Sequence, residues 1–267
     1  NAQRIFALKE QYIKTIDEVI AFLQNKKPTL ARQICSMNFL PEASRFNQLD
    51  DMEYAFGNMG LQDKAKHLAT LYLEDLSDYI IENIDENFGF SRYAERLGRS
   101  ANSFDELYEK LQSEKTFVDN FTLEILDKKL LETKPKLVCF SVPFPGNLYS
   151  AFRCAQYIKN HYPKIKTAFG GGFANTELRD LKDKRVFEFF DFITLDDGEL
   201  PIELLFENIC HFEQSEESLF KRTFLLENGE IVYKNNSERH DYKQAEIGTP
   251  DYTDLPLDQY ISVIEIA

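Results

Sequence analysis

KLVCFSVPFPGNLYSAFRCAQYIKNHYPKIKTAFGGGFANTELRDL, residues 136–181, holds two short apolar runs separated by one segment of helical spacing. The runs are Leu137–Val142 and Thr167–Gly172, and a third, Phe190–Leu195, follows them. Each is short, shows little polar alternation and ends in Gly, Pro, Asn or Asp, the pattern of a strand buried on both faces of a parallel sheet. Between the first two, Phe152, Ala155, Tyr157, Ile158 and Tyr162 recur at spacings near three and four. Strand, helix, strand is the repeating unit of a doubly wound α/β domain with right-handed crossovers. In such a sheet the loops after the strands converge on one crevice. Here they are Pro143–Asn147, Gly170–Asn175 and Asp196–Glu199.

Working outward, the first 134 residues read as mostly helical. Ile5, Leu8, Tyr12, Ile16, Val19, Ile20 and Leu23 share one helical face, and a second long pattern runs from Leu61 to Asn83. Ser103 stands before Phe104-Asp105-Glu106 with the spacing of a capping box, opening a helix to about Leu111. Phe117–Leu131 forms another, closed by Pro135. Beyond the central runs, Pro201 opens a helix through Ile209, and Asn228-Gly229 joins two β-runs as a tight hairpin. The expected division is a helical region 1–134, which is a cap or insertion, a Rossmann-like core 135–212, and a hairpin with linker 213–267. The source of the sheet's leading strand is left open. Both ends read as internal to a longer protein, because Ile264–Ala267 looks like the start of another β-run.

With 267 residues, 43% hydrophobic and 13% aromatic, a sizeable core is affordable. The net charge of −14 argues against nucleic acid as a partner, since that affinity comes largely from Lys and Arg neutralising phosphates. No apolar run approaches the roughly 20 residues of a membrane span, and no signal peptide is visible, so a cytoplasmic protein without membrane partners is expected. Cys35, Cys139, Cys154 and Cys210 are too dispersed for a metal site and read as buried thiols. The four histidines stand alone.

The chemistry-bearing candidates sit in the crevice loops. Gly170-Gly171-Gly172 either lets a ligand approach the backbone ahead of a helix capped by Asn175 or Thr176, or is a tight turn with no ligand. Ser141 ends the first run and offers a hydroxyl, or is a local backbone partner; no base accompanies it, which argues against a Ser–His–acid nucleophile. Asp196-Asp197-Gly198-Glu199 either binds a metal or hydrogen-bonds a ligand's hydroxyls and amides through its carboxylates, or, as the commoner explanation, is a capped, solvated turn. No residue is assigned a catalytic role or a metal.

These segments, followed by FDFITLDDGELPIELL, the Asn-Gly hairpin and GTPDYTDLPLDQYIS, resemble in order and spacing the N-terminal region of cobalamin-binding-domain radical SAM proteins. The resemblance covers about Pro135 to Tyr260. It implies a B12-binding, flavodoxin-like domain with a Ser-bearing strand end (Ser141, Val142, Pro143), a glycine turn (Gly170, Gly171, Gly172) and an acidic loop (Asp197, Gly198, Glu199). It further implies cobalamin as cofactor, an unidentified small-molecule substrate, and a downstream barrel with a [4Fe–4S] cluster and S-adenosylmethionine. Two departures stand: no Asp-x-His-x-x-Gly supplies an imidazole to cobalt, and no Cys-x-x-x-Cys-x-x-Cys is present, so the cluster would belong to sequence beyond Ala267. The other reading is a stand-alone, non-catalytic α/β module for a phosphate-bearing ligand or a protein partner.

Overall fold

The structure is a computed structural model that describes residues 1–36, 38–51, 60–90, 92–99, 104–210 and 218–264. The chain falls into two compact units, Asn1–Phe88 with Pro250–Ala267, and Gly89–Thr249. These cuts differ from the boundaries drawn at 134 and 212. The helices between 95 and 133 share a unit with the sheet, and the Pro-rich tail belongs with the first helices.

The first unit is helical. Its main elements are α1 (Ala2–Ala7), α2 (Lys9–Leu23), α3 (Ala31–Ile34) and α4 (Gly60–Asn83). Val19, Phe22 and Leu23 of α2 pack in one core with Ala65, Ala69 and Tyr72 of α4. The single helix expected from Ile5 to Leu23 is interrupted at Leu8. Asp75, fully buried on α4, accepts hydrogen bonds from the Ala43 and Arg45 amides at 3.1 Å each and from the Tyr12 hydroxyl at 3.4 Å. Those donors neutralise the cost of burying a carboxylate and tie the 43–45 loop to two helices. The tail, expected as a linker, returns to this unit: the Ser262 amide donates to Leu23 O at 2.8 Å and the Ile264 amide to Thr70 Oγ1 at 3.0 Å.

The second unit is α/β. Helices α5 (Glu95–Arg99), α6 (Asp105–Gln112) and α7 (Phe117–Thr133) precede β1 (Leu137–Ser141), α8 (Leu148–His161), β2 (Lys166–Gly170), α9 (Gly172–Glu177), β3 (Phe192–Thr194) and α10 (Glu199–Cys210). The hairpin β4 (Thr223–Glu227) and β5 (Glu230–Lys234) follows, with Asn228 at φ 52° and Gly229 at φ 79°, the left-handed pair of a tight turn. Ser103, expected to cap α6, lies outside the described residues. A capping box that periodicity did not indicate opens α7, where Thr116 Oγ1 accepts from the Asp119 amide and Asp119 from the Thr116 amide.

The five strands form one mixed sheet in the order β1-β2-β3-β4-β5, parallel through β3 and antiparallel after it. Phe169, Ile193 and Phe224 face α8, where Phe152 meets Phe169, Phe189 and Phe190 at ring-centroid distances of 6.0, 5.2 and 4.9 Å. Ala168 and Leu225 turn to the opposite side and pack with Leu205 of α10.

Cover on that second side is incomplete, which corrects the expectation that all three first strands are buried on both faces. Cys139 and Ser141 of β1 are exposed there, and on α10 Ile202 and Phe206 remain 42% and 57% exposed. The burial expected for Cys139 fails for the same reason: the cluster under α10 reaches Leu137 at the start of β1 and leaves Cys139 and Ser141 uncovered.

A buried polar cluster joins the helices of the other side. Asp119 and Arg153, 3% and 2% exposed, form an ion pair at 3.1 Å. Arg153 also donates to Leu111 O at 2.8 Å and Lys110 O at 3.1 Å, and the Tyr149 hydroxyl donates to Asp119 at 2.8 Å. α6, α7 and α8 are thereby held together by groups that satisfy one another.

Candidate functional site

At the carboxyl ends of β1 to β3, on the side of α10, lies a cleft of about 220 Å³. Strand alternation builds its floor: Cys139 and Ser141, Ala168 and Gly170, and Thr194 all point to the face opposite α8. These are small residues, and a side chain at Gly170 would bring its Cβ to 2.8 Å from Thr194 Oγ1. Glycine therefore keeps the floor low. Ile202 forms the wall contributed by α10.

Of the residues expected to form the site, Ser141, Gly170, Gly171 and Gly198 line this cleft. Glu199, with Ile202 and Phe206, lines an adjoining groove along β1. Val142, Pro143, Gly172 and Asp197 are not among the lining residues, and they hold the backbone around it. The Val142 amide donates to Gly170 O at 2.8 Å, and Val142 O accepts from the Phe173 amide at 2.9 Å. A Cβ on Gly171, which has φ 99°, would meet Val142 N at 2.8 Å, and one on Gly172 would meet Pro143 O at 2.9 Å. The two glycines after β2 thus allow the chain's own strand ends to touch. Of the two readings of the glycine run, the tight turn accounts for Gly171 and Gly172.

The acidic loop is pinned at both ends. The Asp196 amide donates to Asn175 Oδ1 at 2.6 Å, and the Asp196 carboxylate is paired with Arg179. Asn175 is therefore not the cap of α9: it lies inside the helix, whose N-cap is Gly171, and its side chain reaches across to the acidic loop. Arg222 donates to Leu195 O at 3.2 Å, to Asp197 O at 2.9 Å and to both Asp241 oxygens at 2.7 Å. That guanidinium holds the Asp241 carboxyl below the usual carboxylate range.

Sequence reasoning missed Thr194, Cys139 and Ile202. The first two were within reach, because residues two apart on a strand share a face with the last residue of the strand. The position of Ile202 depends on how α10 crosses the sheet, which no local pattern encodes. Among the described residues, no group of three or more His, Cys, Asp or Glu side chains is placed to hold a metal ion, and no helix is long and apolar enough to cross a membrane.

Compared with protein-family models, with curated proteins and with solved structures, the chain matches none. The functional reading therefore rests on the cleft and on the order of its motifs.

Proposed function

We propose that the α/β unit is a Rossmann-like small-molecule-binding domain of a larger cytoplasmic enzyme, and that its ligand is the nucleotide tail of a corrinoid. The observation that carries this reading is the cleft at the strand ends, floored by Ser141, Ala168, Gly170 and Thr194. A small-residue floor leaves room for a flat ring, and Ser141, exposed at its edge, offers a hydroxyl to a ring nitrogen. About 220 Å³ lies below the roughly 300 Å³ of ordinary ligand pockets, so the cleft suits one ring system and not a macrocycle. Bound cobalamin would supply alkyl-transfer or electron-transfer chemistry, and this chain's residues would anchor it; none of them is assigned to a bond-making step. In the parent enzyme the [4Fe–4S] cluster and S-adenosylmethionine would belong to a following radical SAM barrel, the partner of this unit.

The reading as a phosphate-binding module has less support. One first-turn amide of α9, Phe173 N–H, is already given to Val142 O. Asp197 and Glu199 add negative charge close by.

The test compares cobalamin with cobinamide, which lacks the nucleotide tail. Retention of cobalamin on gel filtration, no retention of cobinamide, and loss of binding in Ser141→Tyr are expected. Equal retention of both corrinoids, or of neither, rejects the tail-binding role.

A further inference from the structure

A second cavity, of about 450 Å³, opens on the other side of the sheet between α5 and α6 on one wall and the chain after α9 on the other. Its size falls within the range of small-molecule sites. Leu97, Leu107, Leu148, Phe152, Phe173 and Val186 supply apolar lining. Around this lining stand four carboxylates, Asp105, Glu177, Asp180 and Asp183, and two cations, Lys182 and Arg185.

The charges are not equivalent. Arg185 pairs with Asp183 at 2.6 Å and with Asp105 at 2.7 Å, and its guanidinium lies over the rings of Phe104 and Tyr108 at 5.4 and 5.0 Å. It spans the two walls and is fully engaged. Among the described residues, the exposed side chains of Glu177, Asp180 and Lys182 make no hydrogen bond or ion pair, so the unengaged charge of the lining is two carboxylates against one ammonium, net negative. An apolar cavity whose unengaged charge is negative favours a ligand with a hydrophobic body and a positive head, because the body is driven out of water and the head meets carboxylates beside a low-dielectric wall. We propose that this cavity binds a small hydrophobic cation, an aryl- or alkylammonium group, with Glu177 and Asp180 facing the charge. The site is separate from the strand-end cleft and does not depend on the corrinoid reading.

The chain contains no tryptophan, so Leu181→Trp places the variant's single tryptophan in the cavity wall, where it is excited selectively over the tyrosines. It is titrated with phenethylammonium, 2-phenylethanol and 3-phenylpropionate, which differ chiefly in the charge of the head group. A saturable change is expected for the ammonium ion, at least fivefold weaker for the alcohol and absent for the carboxylate. Adding Glu177→Gln and Asp180→Asn should reduce ammonium binding to the level of the alcohol. Carboxylate binding as tight as ammonium binding, ammonium binding unchanged by the two substitutions, or no saturable binding of any of the three overturns the proposal. If the tryptophan variant melts early, saturation-transfer NMR with the unaltered chain reads the same three ligands, with the same outcomes deciding.

Discussion

Gly171 and Val142 touch so closely that a Cβ on Gly171 would sit 2.8 Å from Val142 N and 2.9 Å from Val142 O. Gly171 is also at φ 99°, where an L side chain is strained even in open space. The two effects act on the same methyl group. Gly171→Ala is expected to lower stability by about 1–3 kcal/mol, read as a drop in melting temperature. An unchanged melting curve would show both that the strand end retreats from Val142 and that the turn leaves the left-handed region without cost.

How much of this was legible beforehand follows from what each signal encodes. Apolar runs and 3.6-residue periodicity are local, and they located β1 to β3, α8, the long helices and the hairpin. Burial of a strand on both faces is not local, because it depends on what crosses the sheet. Leu137–Val142 reads as a buried strand, yet Cys139 and Ser141 are exposed because the cluster under α10 reaches β1 at Leu137 and leaves them uncovered. The tail carries no periodicity, so nothing in it announced that Ser262 would bond to Leu23. Of the three crevice loops, Gly170–Asn175 and Asp196–Glu199 supply lining to the cleft and Pro143–Asn147 does not, whereas Asn175 reads as a helix cap and instead ties α9 to Asp196.

The buried pair of Asp119 and Arg153 should respond asymmetrically to substitution. Arg153→Met leaves a carboxylate inside the protein with the Tyr149 hydroxyl and the Thr116 amide as remaining partners, and a loss of about 3–5 kcal/mol is expected. Replacing both ionic groups, in Arg153→Met with Asp119→Leu, removes the stranded charge but also the bond from Thr116 N–H to Asp119, one half of the capping box, worth roughly 1 kcal/mol. The double variant should therefore be more stable than Arg153→Met alone. Urea unfolding of the three proteins decides it, and a double variant less stable than the single would refute the desolvation argument.

Acid sensitivity in the helical unit should report on Asp78. Hydrogen bonds from Arg45, at 2.9 Å to one carboxylate oxygen and 2.6 Å to the other, hold its carboxyl below the usual carboxylate range. A depressed folded-state pKa gives stability that is present above the unfolded-state value, about 3.9, and is lost as pH falls through the folded-state value. The stability difference between the parent and Asp78→Asn should thus be constant near neutrality and shrink below about pH 4. A difference independent of pH down to the acid transition would mean that the pair contributes through shape and not through charge.

Leu205 tests whether α10 is held to the sheet by the small cluster it forms with Ala168, Phe220 and Leu225. It is fully buried, while Ile202 and Phe206 on the same helix are partly exposed, so much of the helix's anchoring falls on few side chains. Leu205→Ala should cost about 2–5 kcal/mol by transfer and cavity terms together. Phe206→Ala, which removes a mostly exposed ring, should cost far less, within about 1 kcal/mol. Because α10 also supplies Ile202 to the strand-end cleft, the two substitutions separate support from lining: amide exchange along α10 should rise in Leu205→Ala and stay at the parent level in Phe206→Ala. Equal losses from both would place Phe206 in a contact that its exposure does not reveal, and would make the groove along β1 part of the folded core.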